Sequence, residues 1–201
     1  MGKSFSTVGI IIATGQKADT GGIAPPDMHD TLSRIESAAR NLFEAGVLSV
    51  IVVLGYRGDE VNALLKKMHN DRVFGIQNRH YATNGRMASI AIGIRAVQAL
   101  CCFGTCDSVP DAIFIVPENA LTAPPETYIL LSRELRHKKA TVLVPYVQGK
   151  AAYPVLIGAA CYEHLVNARQ AHDFHTALQP YAAQTLCMDL SNAGCPAIVH
   201  P

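Results

Sequence analysis

Short apolar runs alternate with longer amphipathic stretches along this chain. The first run, "TVGIIIA" (Thr7 to Ala13), is continuous and rich in β-branched residues, which is typical of a strand buried on both faces. Similar runs predict further strands over "LSVIVVLG", "RVFGIQN", "DAIFIVP", "ATVLVPYV", "AAYPVLIG" and "QTLCMDL".

Helical spacing fills most of the gaps between these strands. It predicts a helix from about Asp30 to Ala45, with a capping box at Ser33 and Glu36 and a stop at Gly46. Further helices are predicted over "GDEVNALLKKMH", "GRMASIAIGIRAVQAL" from near Arg86, "PPETYILLSRELRHK", "ACYEHLVNAR" and "HDFHTALQPY".

Strands that alternate with helices are joined by parallel crossovers. The sequence therefore predicts a three-layer α/β sandwich around a mostly parallel sheet. The adjacent strands around Val144 and Val155 predict a mixed region late in the chain. In such sheets ligands bind beyond the carboxyl ends of the strands. This rule places the following positions on one rim: Ala13 to Gly15, Gly55, Asn78 and Pro117 to Asn119.

The composition is that of a globular protein, with 49% apolar and 16% charged residues. We expect its 201 residues to form one domain over positions 1–201. The net charge of +1 gives no general attraction to nucleic acid or to a membrane, so neither is expected as a partner. The sequence has no apolar run of spanning length and no signal-peptide pattern, which indicates the cytoplasm.

Six cysteines occur, and the segment "CCFGTC" lacks the C-x-x-C spacing of a zinc site. We interpret the cysteines as small buried apolar side chains in a reducing compartment, with redox or metal chemistry as the alternative. Three enzyme motifs are also absent from the sequence. Without G-x-x-x-x-G-K-[ST], G-x-S-x-G or G-x-G-x-x-G, a P-loop NTPase, an α/β-hydrolase and a dinucleotide oxidoreductase are disfavoured.

A series of segments follows the order of one known family. The strand and loop "VGIIIATGQKADTGGIAPPD" stand where that family has L-A-A-G-x-S-x-R-M-G-x-x-K, and "IVVLGYRGDE" matches its V-V-L-G-Y strand end. "QNRHYATNGRMASIAIGIRA" matches an Asn, a glycine and a serine-bearing helix, and "VPENAL", "GKAAYPVL" and "HDFH" occupy later motif slots. From Val8 to Asp189 the chain thus resembles the MobA-like NTP transferases, especially the molybdenum-cofactor cytidylyltransferases.

The resemblance implies a fold of the nucleotide-diphospho-sugar transferase type. It also implies transfer of a nucleotidyl group, CMP by preference, from an NTP to a phosphorylated acceptor such as molybdopterin. The implied cofactor is Mg²⁺, and the implied partners are these small molecules; the oligomeric state is not predicted. The acceptor phosphate would attack the α-phosphorus, so no side-chain nucleophile is required.

The first loop is the expected phosphate-binding segment. The resemblance assigns the phosphates to the backbone N–H groups of Ala13, Thr14 and Gly15, where glycine permits a close approach. It assigns a catalytic role to Lys17.

Two carboxylates are assigned to the metal, because Mg²⁺ prefers oxygen ligands. Glu118, which is also a predicted catalytic residue, stands where the family keeps a metal-binding aspartate, and Asp173 matches the second acidic motif. The alternative for Glu118 is a solvated strand-end carboxylate. The alternative for Asp173 is a different metal site, formed with His172, His175 and His164.

Further nucleotide-binding residues are expected at three other points of the rim. Gly55 ends the second strand, and Asn78 and Ser89 resemble family residues near the ribose and base. Gly85 and Arg86 open a helix, whose N-terminal N–H groups favour anions.

The chain also departs from the family pattern. Asp19 and Ala24 occupy the slots of the cationic loop residues, Lys17 occupies the serine slot, and Tyr153 replaces a histidine. A charge-assisted hydrogen bond contributes about 1.5–3 kcal/mol, so losing two weakens phosphate binding strongly. Arg57 is another cation predicted on the rim. The alternative function is therefore a non-catalytic nucleotide- or ligand-binding regulatory domain on the same fold.

Overall fold

The computed structural model describes residues 5–15, 28–67, 70–102, 108–120, 123–169, 171, 173–191 and 198–199. Its strands are β1 (Thr7–Ala13), β2 (Val50–Leu54), β3 (Val73–Gln77), β4 (Ala112–Pro117), β5 (Val142–Val147), β6 (Lys150–Tyr153), β7 (Val155–Gly158), β8 (Thr185–Asp189) and β9 (Ile198–Val199). Its helices are α1 (Met28–Glu44), α2 (Gly58–Lys67), α3 (Tyr81–Cys102), α4 (Pro125–Lys138), α5 (Tyr162–Asn167) and α6 (Phe174–Leu178).

The strands form a sheet in the order β3-β2-β1-β4-β7-β5-β6-β9, with β8 beside β5. Strands β1 to β4 run parallel, whereas β7 is antiparallel to both of its neighbours, β4 and β5. The mostly parallel sheet and the mixed region late in the chain are therefore as predicted.

Helices cover both faces of this sheet. All seven residues of β1 are buried. Val8, Ile10 and Ile12 belong to one apolar cluster, and Ile11 and Ala13 belong to a second. Ile10 packs with residues of α3, α5 and α6 on one face, and Ile11 packs with residues of α1, α2 and α4 on the other. This confirms the three-layer α/β sandwich, and it explains why β1 needs an unbroken apolar sequence.

Several local expectations change in the structure. The capping box at Ser33 and Glu36 is wrong, because α1 begins at Met28 and both residues lie inside it. The stop at Gly46 is confirmed by its φ of 85°, and its N–H donates to the Phe43 carbonyl oxygen.

The run "AAYPVLIG" does not form one strand. It divides into β6 and β7 at Pro154, because proline has no N–H for a strand ladder. Strand β9 carries only two residues, and the apolar pattern did not predict it. None of the helices that the described residues form has the length and apolar character needed to cross a membrane.

Candidate functional site

A cleft of about 800 Å³ opens beyond the carboxyl ends of β1 and β4. Strands β2 and β3 lie on one side of β1 and β4 lies on the other, so the strand order reverses here. This is the position where open α/β sheets bind ligands. The cleft is lined by Ile12, Thr14, Gly15, Arg34, Tyr81, Gly85, Arg86, Pro117, Glu118, Tyr153, Asp173, Phe174 and His175.

The structure brings many of the predicted site residues together, although they are far apart in sequence. Those that line the cleft are Thr14, Gly15, Gly85, Arg86, Glu118 and Asp173. Those that lie outside its lining are Ala13, Gly55, Asn78 and Ser89. The predicted catalytic Lys17, the loop positions Asp19 and Ala24, and His172 are outside the described residues.

The start of the first loop is held against the end of β2. The Tyr56 N–H donates to the Thr14 carbonyl oxygen at 2.8 Å, and Gly15 has a φ of 59° that favours glycine. A Cβ atom at Gly55 would overlap the Thr14 carbonyl oxygen and would lie 2.7 Å from Tyr81 Cγ. Gly55 therefore allows Thr14 and Tyr81, which both line the cleft, to lie close to its own backbone, without lining the cleft itself.

Asn78 and Ser89 form a buried pair beside the cleft. The Asn78 side-chain amide donates to Ser89 Oγ at 2.9 Å, and its carbonyl oxygen accepts from the His80 N–H at 3.0 Å. Asn78 is 2% exposed and Ser89 is 1% exposed. The pair thus fastens α3 to the end of β3, and its assignment to the ribose and base stays a prediction.

Gly85 breaks helix α3, so that the long part of the helix begins at Arg86 as expected. The φ of 65° and ψ of 179° at Gly85 fall in a region that is essentially restricted to glycine. Apart from its chain neighbours and the backbone of its own helix, no atom of the described residues lies within 4 Å of a Cβ built at this position. The glycine is therefore required by its backbone conformation rather than by lack of space.

The Tyr153 side chain, which is 2% exposed, lies close enough to Arg86 for the two to interact. Burial raises the pKa of Tyr153 and Asp173 adds to this effect, whereas Arg86 opposes it. Burial also lowers the pKa of His175, with Arg86 adding to the effect and Asp173 opposing it. Both side chains are therefore neutral at pH 7, and Arg86 provides the positive charge on this side of the cleft.

Asp173 is the N-cap of α6. Its Oδ1 accepts from the Thr176 N–H at 2.8 Å, and its Oδ2 accepts from Thr176 Oγ1 at 2.6 Å. These bonds lower the pKa of Asp173 and hold the carboxylate in its charged form. A carboxylate has about four lone-pair sites, so the two bonds to Thr176 do not exclude a cation from Asp173.

The sequence patterns did not identify Arg34 as a cleft residue. Its Nη2 atom donates to the Glu118 carbonyl oxygen at 2.7 Å, which links α1 to the residue that follows β4. In the sequence Arg34 is one basic residue on an amphipathic helix, and only the packing of α1 directs it to the cleft. Arg57, which was predicted on the rim, instead donates to both carboxylate oxygens of Glu60 and does not line the cleft.

The alternative histidine-rich metal site receives no support from the described residues. A ring nitrogen of His164 lies 2.9 Å from the Ala177 carbonyl oxygen, and His164 is not part of the cleft. Within the described ranges, no three His, Cys, Asp or Glu side chains are grouped to hold a metal ion.

No protein-family model and no curated protein sequence matches this chain. Solved structures do match it. Rv0371c from Mycobacterium tuberculosis has a TM-score of 0.64 at 14% identity, with 93% of this chain and 90% of that chain covered. A complex of Rv0371c with manganese has a TM-score of 0.60 at 13% identity, with coverage of 92% and 89%.

Two further matches carry enzyme names. A nucleotidyl transferase from Methanothermobacter has a TM-score of 0.61 at 16% identity, with 92% of this chain and 88% of that chain covered. The 4-diphosphocytidyl-2C-methyl-D-erythritol synthase from Anaerococcus prevotii has a TM-score of 0.65 at 9% identity, with coverage of 92% and 86%. The chain has the fold of these nucleotidyltransferases. The narrower resemblance to MobA-like proteins stays a prediction.

We expect Gly55→Ala to destabilise the protein, because the new methyl group must displace the backbone of Thr14. The cost should be about 1–3 kcal/mol in the free energy of unfolding, as for other overpacked sites. Urea denaturation of the wild type and the variant measures it. An unchanged midpoint would show that Gly55 does not hold the first loop in this position.

We expect Ser89→Ala to lower the free energy of unfolding by about 1–3 kcal/mol, because the buried Asn78 amide loses its acceptor. Ser33→Ala, at an exposed position of α1, is the matched control and should change it by less than about 0.5 kcal/mol. Equal midpoints for the two variants in thermal denaturation would contradict the structural role of the buried pair.

Proposed function

We propose that the protein transfers a nucleotidyl group from an NTP to a phosphorylated acceptor. The observation that carries this proposal is the cleft at the reversal of strand order, which joins the first-loop backbone, Arg86, Glu118 and Asp173. The shared fold of the named nucleotidyltransferases supports the same reading. A cleft of about 800 Å³ is also within the usual size range of small-molecule sites.

The donor set of the cleft fits Mg²⁺. Glu118 and Asp173 both line it, and Mg²⁺ is usually held by one or two carboxylates together with substrate phosphates and water. We propose that these two residues hold the ion, and the manganese complex of Rv0371c is consistent with a divalent cation on this fold. When bound, Mg²⁺ neutralises charge on the phosphates of the substrate.

The proposed reaction is a direct displacement at the α-phosphorus. An oxygen of the acceptor phosphate forms the new bond to this phosphorus, while the bond to the leaving pyrophosphate breaks and pyrophosphate takes the electron pair. Backbone N–H groups of Thr14 and Gly15 bind the phosphates, and Arg86 and Lys17 stabilise the negative charge that grows on the leaving group. His175 and Tyr153 are neutral, and we propose that they position the substrates without adding charge.

The identities of the substrates rest on the resemblance to the molybdenum-cofactor cytidylyltransferases. We propose CTP as the donor and molybdopterin as the acceptor, with both bound by one domain that spans 1–201. Ala13, Gly55, Asn78 and Ser89 then support the nucleotide site from beneath, because they adjoin the cleft without lining it.

A non-catalytic nucleotide-binding domain is the second candidate. Asp19 and Ala24 favour it, because they stand where the related enzymes have cations for the triphosphate.

Thermal unfolding with each NTP, with and without Mg²⁺, tests binding, since a ligand at 100 times its dissociation constant stabilises the protein by about 2.7 kcal/mol. Pyrophosphate release from CTP with molybdopterin tests transfer. Stabilisation without release supports the second candidate, and no stabilisation by any NTP contradicts both.

We expect Glu118→Gln to abolish the Mg²⁺-dependent part of the stabilisation by NTP, because the amide keeps the size but not the charge of the metal ligand. Glu126→Gln is the matched control, since Glu126 is an exposed residue at the start of α4 outside the cleft. Thermal unfolding with NTP over a series of Mg²⁺ concentrations measures the effect. An unchanged Mg²⁺ response in Glu118→Gln would remove Glu118 from the metal site.

A further inference from the structure

The first loop lacks the cations of the related enzymes, yet an arginine enters the cleft from helix α1. Arg34 lines the cleft together with Thr14 and Gly15, the first residues of that loop. We infer that Arg34 is a phosphate-binding residue, which supplies from α1 the positive charge that the loop sequence lacks. This inference rests on the proposed function, because it names the residue that holds the phosphates of the NTP.

The geometry holds the Arg34 guanidinium in place. Nη2 donates to the Glu118 carbonyl oxygen at 2.7 Å, and this bond uses one of the five N–H groups of the side chain. A planar guanidinium that is anchored by one N–H can offer others to phosphate oxygens in a fixed direction. Its anchor is the backbone of a proposed metal ligand, so the charge is held beside the metal site.

The charge balance of the cleft depends on Arg34. Among the described residues that line the cleft, Arg34 and Arg86 are the arginines, and Glu118 and Asp173 are the carboxylates. These formal charges cancel, and without Arg34 the negative charges exceed the positive charge by one. A triphosphate is strongly anionic, so a cleft of net negative charge would repel it before any metal binds.

The other arginines considered do not supply charge on the α1 side of the cleft. Arg57 is paired with Glu60 and does not line the cleft. Arg86 lies on the Tyr153 side of the cleft. Arg34 instead reaches Glu118 from the helix that follows the first loop.

A purely structural role for Arg34 makes a different prediction. Asn41, seven residues later on α1, donates to the Ala123 carbonyl oxygen at 3.0 Å. Both side chains therefore fasten α1 to the segment after β4, but Asn41 is uncharged and does not line the cleft. Asn41→Leu removes this tether without removing charge. Arg40→Met removes a charge from an exposed position of the same helix and controls for the change in net charge.

Calorimetric titration with inorganic tripolyphosphate, and separately with CTP, compares the wild type with Arg34→Met, Arg34→Lys, Arg40→Met and Asn41→Leu. We expect Arg34→Met to weaken the binding of both ligands at least tenfold, or about 1.4 kcal/mol. Arg34→Lys should recover part of this loss, and the binding should weaken with added salt more steeply in the wild type than in Arg34→Met. Arg40→Met and Asn41→Leu should bind within about twofold of the wild type.

The outcomes separate the inference from the proposed function. Wild-type affinity in Arg34→Met, or an equal loss in Asn41→Leu, overturns the inference and leaves the proposed function standing. The wild type could bind both ligands through Arg34 and release no pyrophosphate from CTP with molybdopterin. This outcome supports the inference and counts against nucleotidyl transfer. Wild type that binds neither ligand overturns both. If Arg34→Met does not fold, Arg34→Gln, which keeps a donor for the Glu118 carbonyl oxygen, replaces it with the same expectations.

Discussion

Burial of strand β1 between two helical layers fixes the point in the sheet at which the cleft opens. Its side chains alternate between the cluster beneath α3 and the cluster beneath α1, and both of its edges are paired, with β2 and with β4. Because β1 has neighbours on both faces and at both edges, the position of its carboxyl end is fixed. Thr14 follows this end, at the point where the order of strands reverses. Burial of this kind contributes about 25 cal/mol for each Å² of apolar surface, so the strand is a stable base for the polar residues at its tip.

The polar side chains of the cleft are restrained before any ligand arrives. Arg34 is held by a backbone carbonyl, and Asp173 is held by Thr176. Each restraint lowers the entropy that the side chain loses on binding, and preorganised dipoles and charges are the most effective way to stabilise charge in a transition state. Such restraint suits the phosphate-binding role that we propose for the cleft.

The sequence predicted the sheet well because buried strands carry a local signal, and β1 matches its predicted bounds at both ends. It also predicted several rim residues, since the carboxyl ends of strands follow directly from the strands. It placed a helix start near Arg86, whereas α3 begins at Tyr81 and is interrupted at Gly85. The sequence did not predict the side-chain positions that depend on tertiary packing. A lone Arg34 on an amphipathic helix looks solvated, and nothing local shows that Asn78 and Ser89 meet in a buried pair. The apolar pattern also continues through Pro154, so it cannot show the division of that run.

The position of β1 in the sheet has a consequence for folding during synthesis. One edge of β1 pairs with β2, which ends at Leu54, only 41 residues after the end of β1. The other edge of β1 has no partner strand until β4 is synthesised at 112–117. Two other residues that line the cleft, Tyr153 and Asp173, are synthesised later still. Contacts of such long sequence separation form slowly. A nascent chain therefore carries an exposed β1 edge while about half of the polypeptide is being translated. The ligand site is therefore completed by the last third of the chain and cannot exist on an amino-terminal fragment.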